Sequence, residues 1–453
     1  MLIGRRQFAG AAAAGIAFGA LPARNALLQH GRPALPYRNE AQGFGPLSSD
    51  PEGFFDLPSG FSYAVISSAG EAMDDGFITP DNFDGMACFA AGDGKVTLVR
   101  NHELKAEAHA SGPAGTSARL HQRLSGSPHF GSDNAGRVLP GGTSTVIVDL
   151  KARRRTQAWL SLAGTAVNCA GGRTPWGSWL SCEETTLAPP DVKRSHGWVF
   201  EVPAAHRGLV EPVQLTAMGR FRHEAAAIDP SSGIIYLTED KDDGLFYRFL
   251  PARRGRLAEG GRLQALALAD LPGADTRNWS ERRMNLREAV TVRWIDLADT
   301  HSPDDDLRSR GRAAGAAIFA RGEGIEFGNG ELYFTCTSGG ARRLGQIMRY
   351  RPSAEERLEL FVESGDADVF DYGDNLTIAP WGDLIVCEDR TNGKTNHLRG
   401  VRPDGRIYTF ARLHADTELA GVCFSPDGST MFVNAYHPGR TLAITGPWSS
   451  LRA

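Results

Sequence analysis

At 453 residues the chain is long enough for two or three ordinary domains or for one large all-β body. The net charge is −4, with Lys and Arg spread along the chain and no basic run or aromatic-plus-basic stripe, which sets a nucleic-acid partner aside. Six cysteines in so long a chain do not call for a disulfide framework.

In chain order, the first feature is GRRQFAG from Gly4, followed by a small, apolar stretch over residues 11–21 that is too short to span a bilayer. Residues 1–26 read as a twin-arginine signal peptide with cleavage near Ala23 or Ala26. The expected destination is periplasmic or secreted, with the twin-arginine export machinery as a partner and no stable membrane anchor. Residues 27–60, rich in Pro and Gly, read as an extended lead-in, and residues 61–70 alternate as a strand does.

From there a strand-turn-strand unit is written six times: DGMACFAAGDGKVTLVRNHE from Asp84, NCAGGRTPWGSWLSCEE from Asn168, HEAAAIDPSSGIIYLTED from His223, EGIEFGNGELYFTCTSGG from Glu323, DNLTIAPWGDLIVCED from Asp374 and ELAGVCFSPDGSTMFVNAY from Glu418. Each copy carries a hairpin turn such as GDG, PWG or SPDG, and further strands lie between copies. The pattern predicts an all-β fold, a six-bladed β-propeller with long loop insertions, as a single domain over residues 61–453. The longest insertion, about residues 252–318, is charged and partly helical in character and is expected to cap the channel mouth. Cys182, Cys336 and Cys387 recur in second strands and Cys88 and Cys423 fall in first strands, so these five read as small buried residues.

First strands line a propeller's channel, so the opening pairs of all six copies converge. They supply Asp84, Cys169, Glu224, Glu323, Asp374 with Asn375, and Glu418; the ends of the second strands add Asn101, Glu103, Glu183, Glu184, Glu239, Asp240, Glu388 and Asp389. So many carboxylates in one place need cations, and a thiol among them points to a transition metal beside a hard one such as calcium. Arg321, two residues before Glu323, is expected on the same side by the two-residue period of a strand, either to bind a phosphate or to pair with a neighbouring acid. His102 and His223, each preceding an acid, read as ligands, proton carriers or structural residues.

The segments NCAGGRTPWGSWLSCEE, GRFRHEAAAIDP, EGIEFGNGELYFTCTSGG and DNLTIAPWGDLIVCEDR resemble the hallmark segments of the PhoX-type alkaline phosphatase family, over about residues 84–448. The resemblance implies an exported enzyme hydrolysing phosphate monoesters at a channel-mouth cluster of ferric iron (Fe3+) and calcium (Ca2+) bridged by an oxo group. By motif, Cys169, Glu224 and Glu323 resemble the iron ligands and Arg321 the substrate-contacting arginine. Calcium would take the remaining acids, here Glu103, Glu184, Asp240, Asp374, Asp389 and Glu418. The partner implied is a small-molecule phosphoester, and a monomer is expected. Two alternatives stand beside this: a calcium-dependent propeller lactonase or phosphotriesterase, and a non-catalytic metal-binding propeller.

Overall fold

The computed structural model describes residues 37–390 and 395–452. The expected signal peptide and the first part of the lead-in lie outside the described residues. The architecture is a β-propeller. Its six first strands are Phe83–Gly92, Asn168–Arg173, His223–Ile228, Gly322–Gly328, Gly373–Ile378 and Leu419–Phe424; each packs against the next in chain order, and the last returns to the first. They open blades one to six.

The strands group into five hydrogen-bonded sheets rather than six. The difference arises in the long insertion, whose strands Gly261–Leu268 and Ala289–Leu297 extend the third blade outward. Ala289–Leu297 then pairs with Arg357–Glu363 of the fourth blade, so two blades share one nine-stranded sheet. These two strands of the insertion are therefore blade edge and not part of the expected cap. Other parts of it reach the loops that follow the second strands: Arg277 Nη1 bonds Asp242 O at 3.0 Å, Trp279 Nε1 bonds Ser338 O at 2.7 Å, and Arg308 of the short helix Leu307–Ala313 bonds Glu239 Oε1 at 2.8 Å.

Ring closure comes from the N-terminal side. Ser62–Ser68 forms the outer strand of blade six, antiparallel to Arg440–Thr445. Upstream of it, Phe55–Pro58 adds to the edge of blade five through Phe55 opposite Leu413 and Asp56 opposite Arg412. The core lies between blades as aromatic and aliphatic wedges. Between blades three and four, Phe246 stacks on Phe334 at 4.4 Å, with Tyr236 and Tyr350 buried beside them. Each such ring contributes about 1.5–3 kcal/mol by leaving water.

The first strands meet so closely at the axis that side chains are excluded between them. A Cβ on Gly85 would lie 2.5 Å from the Ala170 Cα in the next blade. This explains the small residues that follow several opening residues, Gly85 after Asp84, Ala170 after Cys169, Ala225 after Glu224 and Gly324 after Glu323. All six cysteines are free, and Cys182, Cys336 and Cys387 are buried in their second strands.

Candidate metal centre

Five of the six first strands carry a β-bulge at the same place. In blade one Phe83 pairs with His102 and Met86 with Arg100, so Asp84 and Gly85 oppose the single residue Asn101. The register shifts in the same way after Asn168, His223, Gly322 and Gly373. The first bulged residue is thus Asp84, Cys169, Glu224, Glu323 or Asp374. A bulge bends its strand and re-aims one side chain, and repetition around a ring turns all five toward one axis. In blade six the bulge comes one residue later in register, at Gly421. Gly421 has φ +61° and a Cβ there would meet Asp84 O at 2.4 Å, so no acid fits; this blade offers Glu418, just ahead of its strand.

The second strands add residues by a rule that sequence spacing alone did not reveal. Each acidic pair splits. The first member ends the strand and turns into the blade: Glu183 accepts from His196 Nδ1 at 2.6 Å and from the Gly197 and Trp198 amides, Glu239 from Tyr247 and Arg308, and Glu388 from His397 and Arg399. The second member, Glu184, Asp240 or Asp389, faces the mouth. Glu183, Glu239 and Glu388, expected near the mouth, are therefore structural anchors. Asn101 is one too, spending its amide on the Cys169 and Ala170 carbonyls and its oxygen on Trp179. His102 and His223 resolve as structural: His102 bonds Asp81 O and Ser144, while His223 stacks on Phe221 and bonds Gly219 O, with burial pushing its pKa down to about 3.

What remains is a row of eight carboxylates and one thiol in four overlapping sets, each with donor atoms within 4.8 Å of one another. Asp84, Glu103 and Cys169 form the first; Cys169, Glu184 and Glu224 the second; Glu224, Glu323 and Asp374 the third; Asp374, Asp389 and Glu418 the fourth. Cys169 Sγ lies 3.1 Å from Glu224 Oε1 and 3.5 Å from Asp84 Oδ2. Of the expected site residues, Cys169, Glu224, Glu323, Glu103, Glu184, Asp374, Asp389 and Glu418 all stand in this row. Asp240 stands beside it, held by Arg321. Asp84 belongs in the row as well: its opening position was legible, but no motif marked it as a ligand.

The electrostatics of the row are unfavourable without cations. Burial, followed by repulsion from neighbouring acids, pushes the carboxyls of Asp84, Glu184, Glu224, Glu323, Asp374 and Glu418 well above the usual carboxylate range. Burial also raises Asp389, and it lifts Glu103 to about 7. The Cys169 thiol is driven up by burial, then by Asp84 and Glu224. Glu224 Oε2 and Asp374 Oδ1 are buried with no hydrogen-bond partner. Orphaned anionic oxygens beside a thiol are what a cluster of hard and borderline cations needs, so the donor set fits metals.

Two arginines border the row. Arg321 Nε and Nη2 grip Asp240 at 2.8 and 3.2 Å, and Nη2 also reaches Glu323 Oε1 at 2.8 Å. Its position arises differently from the expected strand alternation. The strand begins at Gly322, and Arg321 sits just outside it at φ +54°, a left-handed conformation fixed by hydrogen bonds to Lys241 O and from the Thr337 amide. Arg222 pairs with Glu184 Oε1 at 2.8 Å.

A search of the curated proteins finds no match. Among solved structures, Pseudomonas fluorescens PhoX in complex with vanadate, a transition state analogue, aligns with a TM-score of 0.64 at 19% identity, covering 91% of this chain and 97% of that one. A gluconolactonase from Xanthomonas campestris aligns with a TM-score of 0.42 at 12% identity, over 90% of this chain and 99% of its own. The family model for alkaline phosphatase PhoX matches residues 42–439, the greater part of the chain. With propeller, acidic mouth and family model in agreement, the chain belongs to the PhoX alkaline phosphatase family of phosphoric ester hydrolases.

Proposed function

We propose that the protein is an exported phosphatase that hydrolyses phosphate monoesters at a cluster of Fe3+ and Ca2+ in the channel mouth. One observation carries this reading: four donor sets joined through the shared residues Cys169, Glu224 and Asp374, in a chain of the PhoX family. A shared ligand suits two neighbouring cations, and a thiol among oxygens suits iron near Cys169 with calcium further along. Cys169, Glu224 and Glu323 would hold iron. Glu103, Glu184, Asp240, Asp374, Asp389 and Glu418, with Asp84, would hold calcium. Bound there, the metals supply Lewis acidity that offsets the charge of the phosphate.

The chain's own contribution begins with Arg321. Its backbone is pinned on both sides and its guanidinium is kept charged by Glu323 and then Asp240, so it is oriented before substrate arrives. From there it can take a non-bridging phosphate oxygen and stabilise charge that grows in the transition state. The vanadate complex of the Pseudomonas relative is in keeping with this chemistry. Export rests on the twin-arginine pattern of residues 1–26. Among the described residues no helix is long and apolar enough to cross a membrane.

The test is metal analysis of protein exported by its native route, together with hydrolysis of p-nitrophenyl phosphate. Iron and calcium with turnover are expected. Full activity in an Arg321→Ala, Cys169→Ala double variant would sink the site.

A further inference from the structure

Arg321 has a counterpart one blade earlier. Arg222 stands two residues before Glu224, as Arg321 stands two before Glu323. Each reaches back to the acid that follows the second strand of the preceding blade: Arg222 Nη2 to Glu184 Oε1 at 2.8 Å, and Arg321 Nε to Asp240 Oδ1 at 2.8 Å. The propeller's rotation thus maps one ion pair onto the other. After burial, repulsion from Asp240 is the largest influence on the Glu184 carboxyl, so the two guanidiniums flank a pair of neighbouring carboxyls at the mouth.

The two arginines differ in how fully they are used. Arg321 spends its guanidinium on both Asp240 oxygens and on Glu323. Arg222 makes one carboxylate contact and one bond from Nε to the Glu184 carbonyl at 3.2 Å; its Nη1 has no partner among the described residues, and its side chain is 36% exposed. A guanidinium anchored on one edge and open on another is suited to the second oxygen of a tetrahedral anion. A counter-ion for Glu184 alone would leave that open edge without a role.

We propose that Arg222 is a second phosphate-binding arginine, contacting one non-bridging oxygen of the substrate while Arg321 contacts another. This rests on the phosphatase reading above. It implies a substrate with at least two unesterified phosphate oxygens within reach of the mouth, which admits monoesters and diesters and excludes triesters.

The experiment compares wild type, Arg222→Met and Arg222→Lys as metal-loaded protein, by calorimetric titration with inorganic phosphate, metal content, and KM and kcat on p-nitrophenyl phosphate. Losing one charge-assisted contact is expected to weaken phosphate binding and raise KM about ten- to hundredfold in Arg222→Met. Metal content should be unchanged, and Arg222→Lys should recover part of the loss and keep the comparison available if the methionine variant folds poorly. Unchanged phosphate affinity in both variants, against a wild type that binds and hydrolyses, overturns the role of Arg222 and leaves the phosphatase reading intact. Altered metal content with unchanged phosphate affinity assigns Arg222 to Glu184 alone and also overturns it. A wild type that neither binds phosphate nor turns over overturns both.

Discussion

The two ends of the channel are built from the same six strands and carry opposite chemistry. At the bulged end stand eight carboxylates and a thiol. Below the bulges the channel opens into a cavity of about 960 Å³, whose lining includes Ala170, Ala225, Val422 and the thiol-bearing Cys88 and Cys423, with Arg173 and Glu326 as its only charged side chains among the described residues. The strand backbone has no preference for charge in itself. What separates the ends is the bulge, which in five of the six blades turns one residue to the axis where acids can share cations. Beyond it, regular pairing leaves small and apolar side chains packed against their neighbours.

The largest expected effect contrasts the two ends directly. Glu224→Gln removes a donor shared by two sets and should lower both metal content and kcat/KM by about a hundredfold or more. Glu326→Gln, at a carboxyl that burial raises to about 7 but that belongs to no donor set, should leave both within about twofold. Metal analysis and steady-state kinetics on the two variants would read the contrast; a large loss in Glu326→Gln would extend the site down the channel.

Next in size is a contrast between neighbours. Glu388 is fully buried between His397 and Arg399, whose positive charge helps hold its carboxyl below the usual range against burial. Glu388→Gln strands the buried Arg399 and should cost about 3–5 kcal/mol of stability by denaturant melts. Asp389→Asn, one residue on, should instead lower metal content while leaving the metal-free protein as stable as wild type or more so.

The smallest expected effect is on pH dependence, and its direction is unusual for acids. Carboxyls held neutral by burial have folded pKa values above their unfolded values near 4. Their share of stability is complete below the unfolded pKa and is lost as pH rises through the folded values, with Glu103 at about 7. Chelated protein should therefore melt several degrees lower at pH 8 than at pH 5, and metal loading should flatten or reverse that slope. A rise in melting temperature with pH in the chelated protein would count against the crowded row.

The repeat, its turns and the convergence of opening residues were legible because hairpin signals and small-residue runs are local. Cys169, Glu224 and Glu323 were legible because each sits in its motif at the same bulged place. The splitting of each acidic pair was hidden, since Glu183 and Glu184 look alike until the strand's last pairing decides which one faces the blade. Gly421 hid the sixth blade's shift, and nothing in the insertion's composition announced that Ala289–Leu297 would join two blades. Arg321 reached the predicted side by a left-handed turn and not by strand alternation, so the right neighbourhood came from a different backbone.

The closing strand has a consequence for synthesis. Because Ser62–Ser68 waits for Arg440–Thr445, and because Glu418 comes from the last blade while Asp84 comes from the first, the donor row cannot assemble on a partial chain. A chain that stops before its final blade lacks Glu418, and with it the fourth donor set, as well as the strand that closes the ring, so the complete row is a property of the finished chain alone.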